Sequence, residues 1–125
     1  MTRSERLTLD SINEIEKAPG YRKRAKAESA IWDMASGLND RSSEHTGTVR
    51  GQLHEQTPCA AGVGVPAQRR WLGTVSGTVY TGGDSGDGEP PSVDVYEAED
   101  ADTLAELVED LGARVSAIHA GLDGM

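Results

Sequence analysis

Apolar positions near the end of the chain recur with a helical period. Leu104, Val108, Leu111, Val115, Ile118 and Leu122 are spaced 4, 3, 4, 3 and 4, and Leu107 widens the stripe. Such spacing keeps one face of an α-helix apolar. A helix from about Asp100 to Ala120 is predicted, opened by a Thr103-x-x-Glu106 capping box, with Glu99, Asp100 and Asp102 near the positive end of its dipole. Gly112 falls in its middle, where it costs about 1 kcal/mol against alanine and threatens a break.

Two more helices are predicted at the other end. Ser4–Ala18 places Leu9, Ile12 and Ile15 three apart, carries an S-x-x-E box at Ser11-Ile12-Asn13-Glu14, and stops at Pro19-Gly20. From about Tyr21 to Leu38, Ala27, Ile31, Met34 and Leu38 share one face, and Gly37 and Asn39 supply the exit.

Between these ends the period falls to two. Val49, Gly51 and Leu53 alternate with Thr48, Arg50, Gln52 and His54, the pattern of a half-buried strand. Trp71, Gly73, Val75, Gly77 and Val79 continue it, and one long strand is preferred to a hairpin turning at Ser76-Gly77. In the segment from Ser92 to Glu97, Val93 and Val95 stand opposite Asp94 and Tyr96. The expected fold is α+β, in two layers: an antiparallel sheet of at least three strands, with two N-terminal helices and one C-terminal helix covering one face. Glycines 51, 73 and 77 on the inward side would let a helix approach closely or mark bulges. A single domain over 1–125 is expected, with flexible loops at about 39–47, 55–67 and 82–91.

Composition makes the core thin. Among 125 residues there are fifteen glycines, two Trp, three Tyr and no Phe, so packing rests on Val, Leu, Ile, Ala and Met. The single cysteine, Cys59, excludes an internal disulfide, and no N-terminal stretch has the pattern of a signal peptide. The expectation is a cytoplasmic protein, or one assembled into a particle made there. No apolar run approaches the roughly 18–20 residues that cross a bilayer.

The formal charge of −9 is unevenly distributed. Residues 81–125 hold twelve acids and one base, Arg114, whereas the first fifty residues are nearly balanced. The acids Glu99, Asp100, Asp102, Glu106, Glu109 and Asp110 form a negative end that repels nucleic acid and suits a basic partner surface. Arg22, Lys23, Arg24 and Lys26 form the only basic cluster. With Tyr21 and Trp32 nearby it offers phosphate contacts, but four charges diluted by Glu28 and Asp33 are few, and nucleic acid is not the expected partner. Opposite charges at two ends of one chain also favour head-to-tail contact between copies.

Candidate chemistry is sparse. Gly83-Asp84-Ser85-Gly86 has the letters around the nucleophile of chymotrypsin-like serine proteases, but Asp87 follows where that family continues with glycine, and the loop holds nothing to fix a triad. The acids from Asp84 to Glu89 do not follow the alternation of an EF-hand. His45, His54 and Cys59, with Glu44 and Glu55 alongside, are the only metal-ligating set, at spacings matching no compact zinc pattern; the expectation is solvent-facing histidines and a half-buried cysteine. Gly62-x-Gly64-x-x-Ala67 fits a relaxed dinucleotide fingerprint, yet Pro66 sits inside it and a strand follows it. No cofactor and no metal site is expected.

The tail LVEDLGARVSAIHAGLDGM is similar to a short stretch of the second RecA-like domain of superfamily 2 helicases, where a helix, a strand and a His-Ala-Gly-Leu run follow one another. The phosphate loop, Asp-Glu box and arginine finger of that family are missing, which removes ATPase activity from the implication.

Two functional classes remain. The first is a non-enzymatic assembly or adaptor protein, self-associating as a homo-oligomer or docking on a larger complex, of the kind found in phage particles and multi-subunit bacterial machines. The second is a binder or inhibitor, including the DNA-mimic type, whose acidic surface occupies a basic protein site. A small metal-dependent enzyme built on His45, His54 and Cys59 is a third, weaker reading.

Overall fold

The computed structural model describes residues 3–42, 48–64, 67–81 and 92–124, with side chains described from Thr8 onward. The order of elements is α1 (Arg3–Lys17), α2 (Gly20–Asn39), β1 (Arg50–Glu55), β2 (Trp71–Tyr80), β3 (Ser92–Ala101) and α3 (Leu104–Asp123). The three strands form one antiparallel sheet in the order β1-β2-β3, so every sheet connection joins neighbours. This is the α+β arrangement that the two periodicities predict, and β2 is a single strand.

Helices α2 and α3 lie on one face of the sheet, α2 against β1 and β2 and α3 against β2 and β3. Between them and the sheet sits the core, in which Ile31, Leu38, Val75, Val79, Leu107, Val108, Leu111 and Val115 are almost wholly removed from water. These are the residues of the predicted stripes, and burying each such side chain contributes about 1.5–3 kcal/mol. α1 packs on α2 and α3, and no contact with the sheet is made among the described residues.

Leu9, expected on the inner face of α1, is 46% exposed, while Ile15 is buried and Ile12 partly so. A three-residue step falls short of a full turn of 3.6 residues, so the face drifts and Leu9 leaves it. Thr8, Ile12 and Ile15 make the true inner stripe. Ser11 lies inside α1, which begins at Arg3, and is therefore not a cap.

At the other end β3 runs through Ala101, because its ladder with β2 continues as far as Trp71↔Ala101. Glu99 and Asp100 are consequently strand residues, not part of the first turn of α3. The helix starts at Leu104, where Thr103 adopts an extended conformation and its Oγ1 accepts from Glu106 N at 3.2 Å. Gly112 does not break α3. It is buried, and a Cβ there would stand 2.6 Å from Thr8 Cγ2, so its missing side chain is what admits α1. The strand implied by the helicase likeness is also absent, since residues 107–123 belong to one helix.

The close approach of a helix expected at the inward glycines is present at Gly51, whereas at Gly77 the close neighbour is the backbone of the segment before β1. A Cβ on Gly51 would lie 2.6 Å from the carbonyl oxygen of Ile31, so α2 rests directly on the β1 backbone. Gly77 has φ +148, a conformation L side chains rarely adopt, and its missing side chain makes room for the Thr48 backbone on the neighbouring chain segment.

Beyond Glu55 the ladder does not stop where the loop at 55–67 was expected to begin. Gln56 N donates to Arg70 O at 2.6 Å, and Cys59 and Gln68 exchange bonds of 2.8 and 3.0 Å. The β1–β2 hairpin thus extends as an arm past the layer of helices. The Ser85 motif and the rest of the 82–91 loop lie outside the described residues, as does His45.

Candidate interaction surfaces

The fold divides the expected charged residues into two regions with different local bonding. On α2, Lys23 Nζ donates to Ile15 O at 3.1 Å and Glu16 O at 3.4 Å, meeting carbonyls at the C-terminal end of α1 where the helix dipole is negative. Lys26 pairs with Glu14 at 3.7 Å. Arg24 pairs with Glu28 at 3.4 Å and with Glu55 at 3.8 Å, and its guanidinium stacks 5.9 Å from the Trp71 ring. Arg22, stacked on exposed Tyr21 at 5.7 Å, is the one member of the cluster with neither an ion pair nor a backbone carbonyl to bond among the described residues. Three members of the basic cluster therefore hold the N-terminal helices and β1 together.

The acidic residues gather on neighbouring elements, because α3 packs on β3. Glu99 pairs with Arg114 at 2.8 Å, Glu106 with Arg69 at 3.1 Å, and Asp100 accepts from Arg69 N at 3.3 Å. Asp102, Glu109 and Asp110 have no basic partner among the described residues, and neither has Glu97. The result is a negative ridge along β3 and the first half of α3. The sequence pattern points to most of its members but not to Glu97, which shares the Glu99 side of β3, while Asp94 lies on the other face and accepts from Thr78 Oγ1 at 3.0 Å.

A groove of about 580 Å³ runs between α2 and the free edge of β1, lined by Glu28, Trp32 and Ala35 on the helix and by Arg50, Gly51 and Leu53 on the strand, among others. Trp32 stands 65% exposed beside it. Antiparallel pairing uses alternate residues of each strand. Thr48 N donates to Thr78 O and Gln56 N to Arg70 O, so even-numbered residues face β2 and residues 49, 51, 53 and 55 turn their peptide groups outward. Val49 is met there by Asn39, whose Nδ2 donates to Val49 O and whose Oδ1 accepts from Val49 N, both at 2.9 Å. Gly51 and Leu53 have no outward partner among the described residues. Nothing in the sequence signals this edge, because an exposed Trp and a strand look the same whether paired or open.

Of the candidate metal ligands, His45 and Glu44 lie outside the described residues. His54 is exposed on the outer sheet face, 3.3 Å from Gln52 Oε1, and Cys59 is exposed on the hairpin arm, not half-buried as expected, because no helix covers the arm. Among the described residues no three His, Cys, Asp or Glu side chains come together. Gly62 and Gly64 lie in an exposed turn of the same arm, with no helix following.

Among the described residues one titratable group is perturbed. Arg41 Nε donates to His119 Nδ1 at 2.6 Å while its Nη2 meets Asp123 Oδ1 at 2.5 Å, tying the segment after α2 to the end of α3. Burial, and secondarily the Arg41 charge, hold the His119 pKa below its usual 6.5, with Asp123 opposing. A histidine bound through an accepting ring nitrogen fits a structural role in the neutral form.

No helix among the described residues is long and apolar enough to cross a membrane. A scan against protein-family models, a search of curated proteins and a search of solved structures each found no match.

Proposed function

We propose that this chain is a non-enzymatic assembly or adaptor protein, docking on a larger complex through its acidic ridge. The observation that supports this reading is the asymmetry of pairing. The cations of the N-terminal cluster are largely occupied inside the molecule, whereas Glu97, Asp102, Glu109 and Asp110 are not, so the ridge is the surface left to seek opposite charge. Head-to-tail pairing of basic and acidic ends would first have to break the contacts of Lys23, Arg24 and Lys26. A basic site on another protein carries no such cost, and an inhibitor that covers such a site uses the same ridge.

Charge reversal tests it. The variant Asp102→Lys, Glu109→Lys, Asp110→Lys should lose a partner that wild type captures from lysate at low salt and releases at about 1 M salt, where the Debye length is about 3 Å. Asp33→Lys, on α2, serves as the control and should retain it. The same proteins captured by all three forms would refute the role of the ridge.

A further inference from the structure

We infer that the free edge of β1 is a dimerisation surface, occupied by β1 of a second copy paired antiparallel about a two-fold axis at Gln52. The inference concerns a surface separate from the acidic ridge.

The edge is bounded on both sides. At one end Asn39 satisfies the outward peptide groups of Val49, and at the other the ion pair of Arg24 and Glu55 joins α2 to the end of β1. Fifteen helical residues from Arg24 to Asn39 span about 22 Å, and six strand steps from Val49 to Glu55 span about 20 Å. Helix and strand therefore run antiparallel and in step, with the middle of β1 at Gln52 beside the middle of this stretch of α2. Ile31, whose carbonyl abuts Gly51, confirms that alignment. Trp32, the next residue, consequently stands at the centre of the open edge with most of its ring in water.

Between the two bounds lie the N–H and C=O of Gly51 and of Leu53, which have no outward partner among the described residues. A second β1 centred on Gln52 sets Gly51 against Leu53 of the other copy, twice by symmetry, and satisfies all of these groups. The same two-fold sets the two α2 helices antiparallel. The end carrying Arg22 on one, a cation with no acidic partner among the described residues, then lies towards the end carrying Asp40 on the other, and the two Trp32 rings meet near the axis. An unrelated extended peptide would satisfy the backbone but not this charge polarity. The opposite edge of the sheet is guarded: β3 carries Asp94, Glu97, Glu99 and Asp100 within ten residues, the kind of charge that blocks edge pairing. With one open edge per chain, association closes at two copies.

Light scattering on the purified chain, over a concentration series and at low and about 1 M salt, should give twice the 13.2 kDa chain mass. Trp32→Glu should weaken the dimer at least about tenfold with an unchanged circular dichroism spectrum, since the side chain it replaces is exposed. In a Cys59→Ser background, Gln52→Cys should form a covalent dimer on mild oxidation. The facing Cβ atoms of such a pair lie about 4.5–5.5 Å apart, close to disulfide reach. Thr74→Cys, on the middle strand, should not. A monomer at every concentration overturns the inference, including one whose groove takes a peptide from another protein. So does a dimer indifferent to Trp32→Glu that fails to cross-link through residue 52. A monomer that still captures its partner through the ridge would leave the docking reading standing.

Discussion

Replacing Gly112 with alanine sets two opposed effects against each other. In an exposed helix the change gains about 1 kcal/mol, because glycine gives up more backbone entropy on folding. In α3 the new methyl would stand 2.6 Å from Thr8 Cγ2 and 2.8 Å from Thr8 Oγ1, well inside the carbon contact distance of about 3.5–4.0 Å. Rotating Thr8 does not relieve this. Its two branches fill two of the three staggered sites, and both now occupy crowded ones, so every rotamer keeps at least one close contact.

Helix α1 must therefore shift, and overpacking of this kind costs about 1–3 kcal/mol. The net expectation for Gly112→Ala is a loss of about 0–2 kcal/mol where propensity alone gives a gain. Thr8→Ala removes both branches and leaves only Cβ at 3.3 Å. In that background the same substitution should stabilise by up to about 1 kcal/mol. Urea unfolding of the four proteins, followed by far-UV circular dichroism, closes a double-mutant cycle in which the separate effect of Thr8→Ala cancels. The coupling should be about 1–3 kcal/mol; a value under about 0.5 kcal/mol, the scatter of independent sites, would refute the contact between α1 and α3.

Two further outcomes are expected. Asn39→Ala removes both hydrogen bonds to the Val49 peptide, which is buried. It should cost about 1–3 kcal/mol in urea unfolding and speed hydrogen exchange at the Val49 amide; unchanged exchange there would count against the bonds. For His119 the folded pKa lies below 6.5, so the unfolded chain binds the proton first as pH falls. Its contribution to stability is complete above pH 6.5 and declines from there towards the folded pKa. His119→Gln should flatten the difference between urea midpoints at about pH 8 and about pH 5; an equal slope in both proteins would sink the assignment.

The layout of the fold was legible from periodicity because burial imposes it residue by residue. Stripes at spacings of 3 and 4 in α2 and α3, and alternation in β1 and β2, name most of the core, since a helix or strand with one wet face has little freedom in which positions are apolar. Boundaries were less legible. Glu99 and Asp100 suit a helix start as well as an edge strand, and only pairing with Gly73 and Leu72 makes them the latter.

The local chemistry of Thr103 decided the start of α3, but nothing local decided Gly112, whose reason lies with Thr8 more than a hundred positions away. The same holds for the surfaces. Composition determined that the C-terminal end is acidic. Tertiary packing alone decided that Lys23, Arg24 and Lys26 are taken up within the chain, and that Gly51 and Leu53 keep open peptide groups beside Trp32. Charge is a property of residues one at a time, whereas pairing and exposure depend on which neighbours the fold brings within a few ångströms.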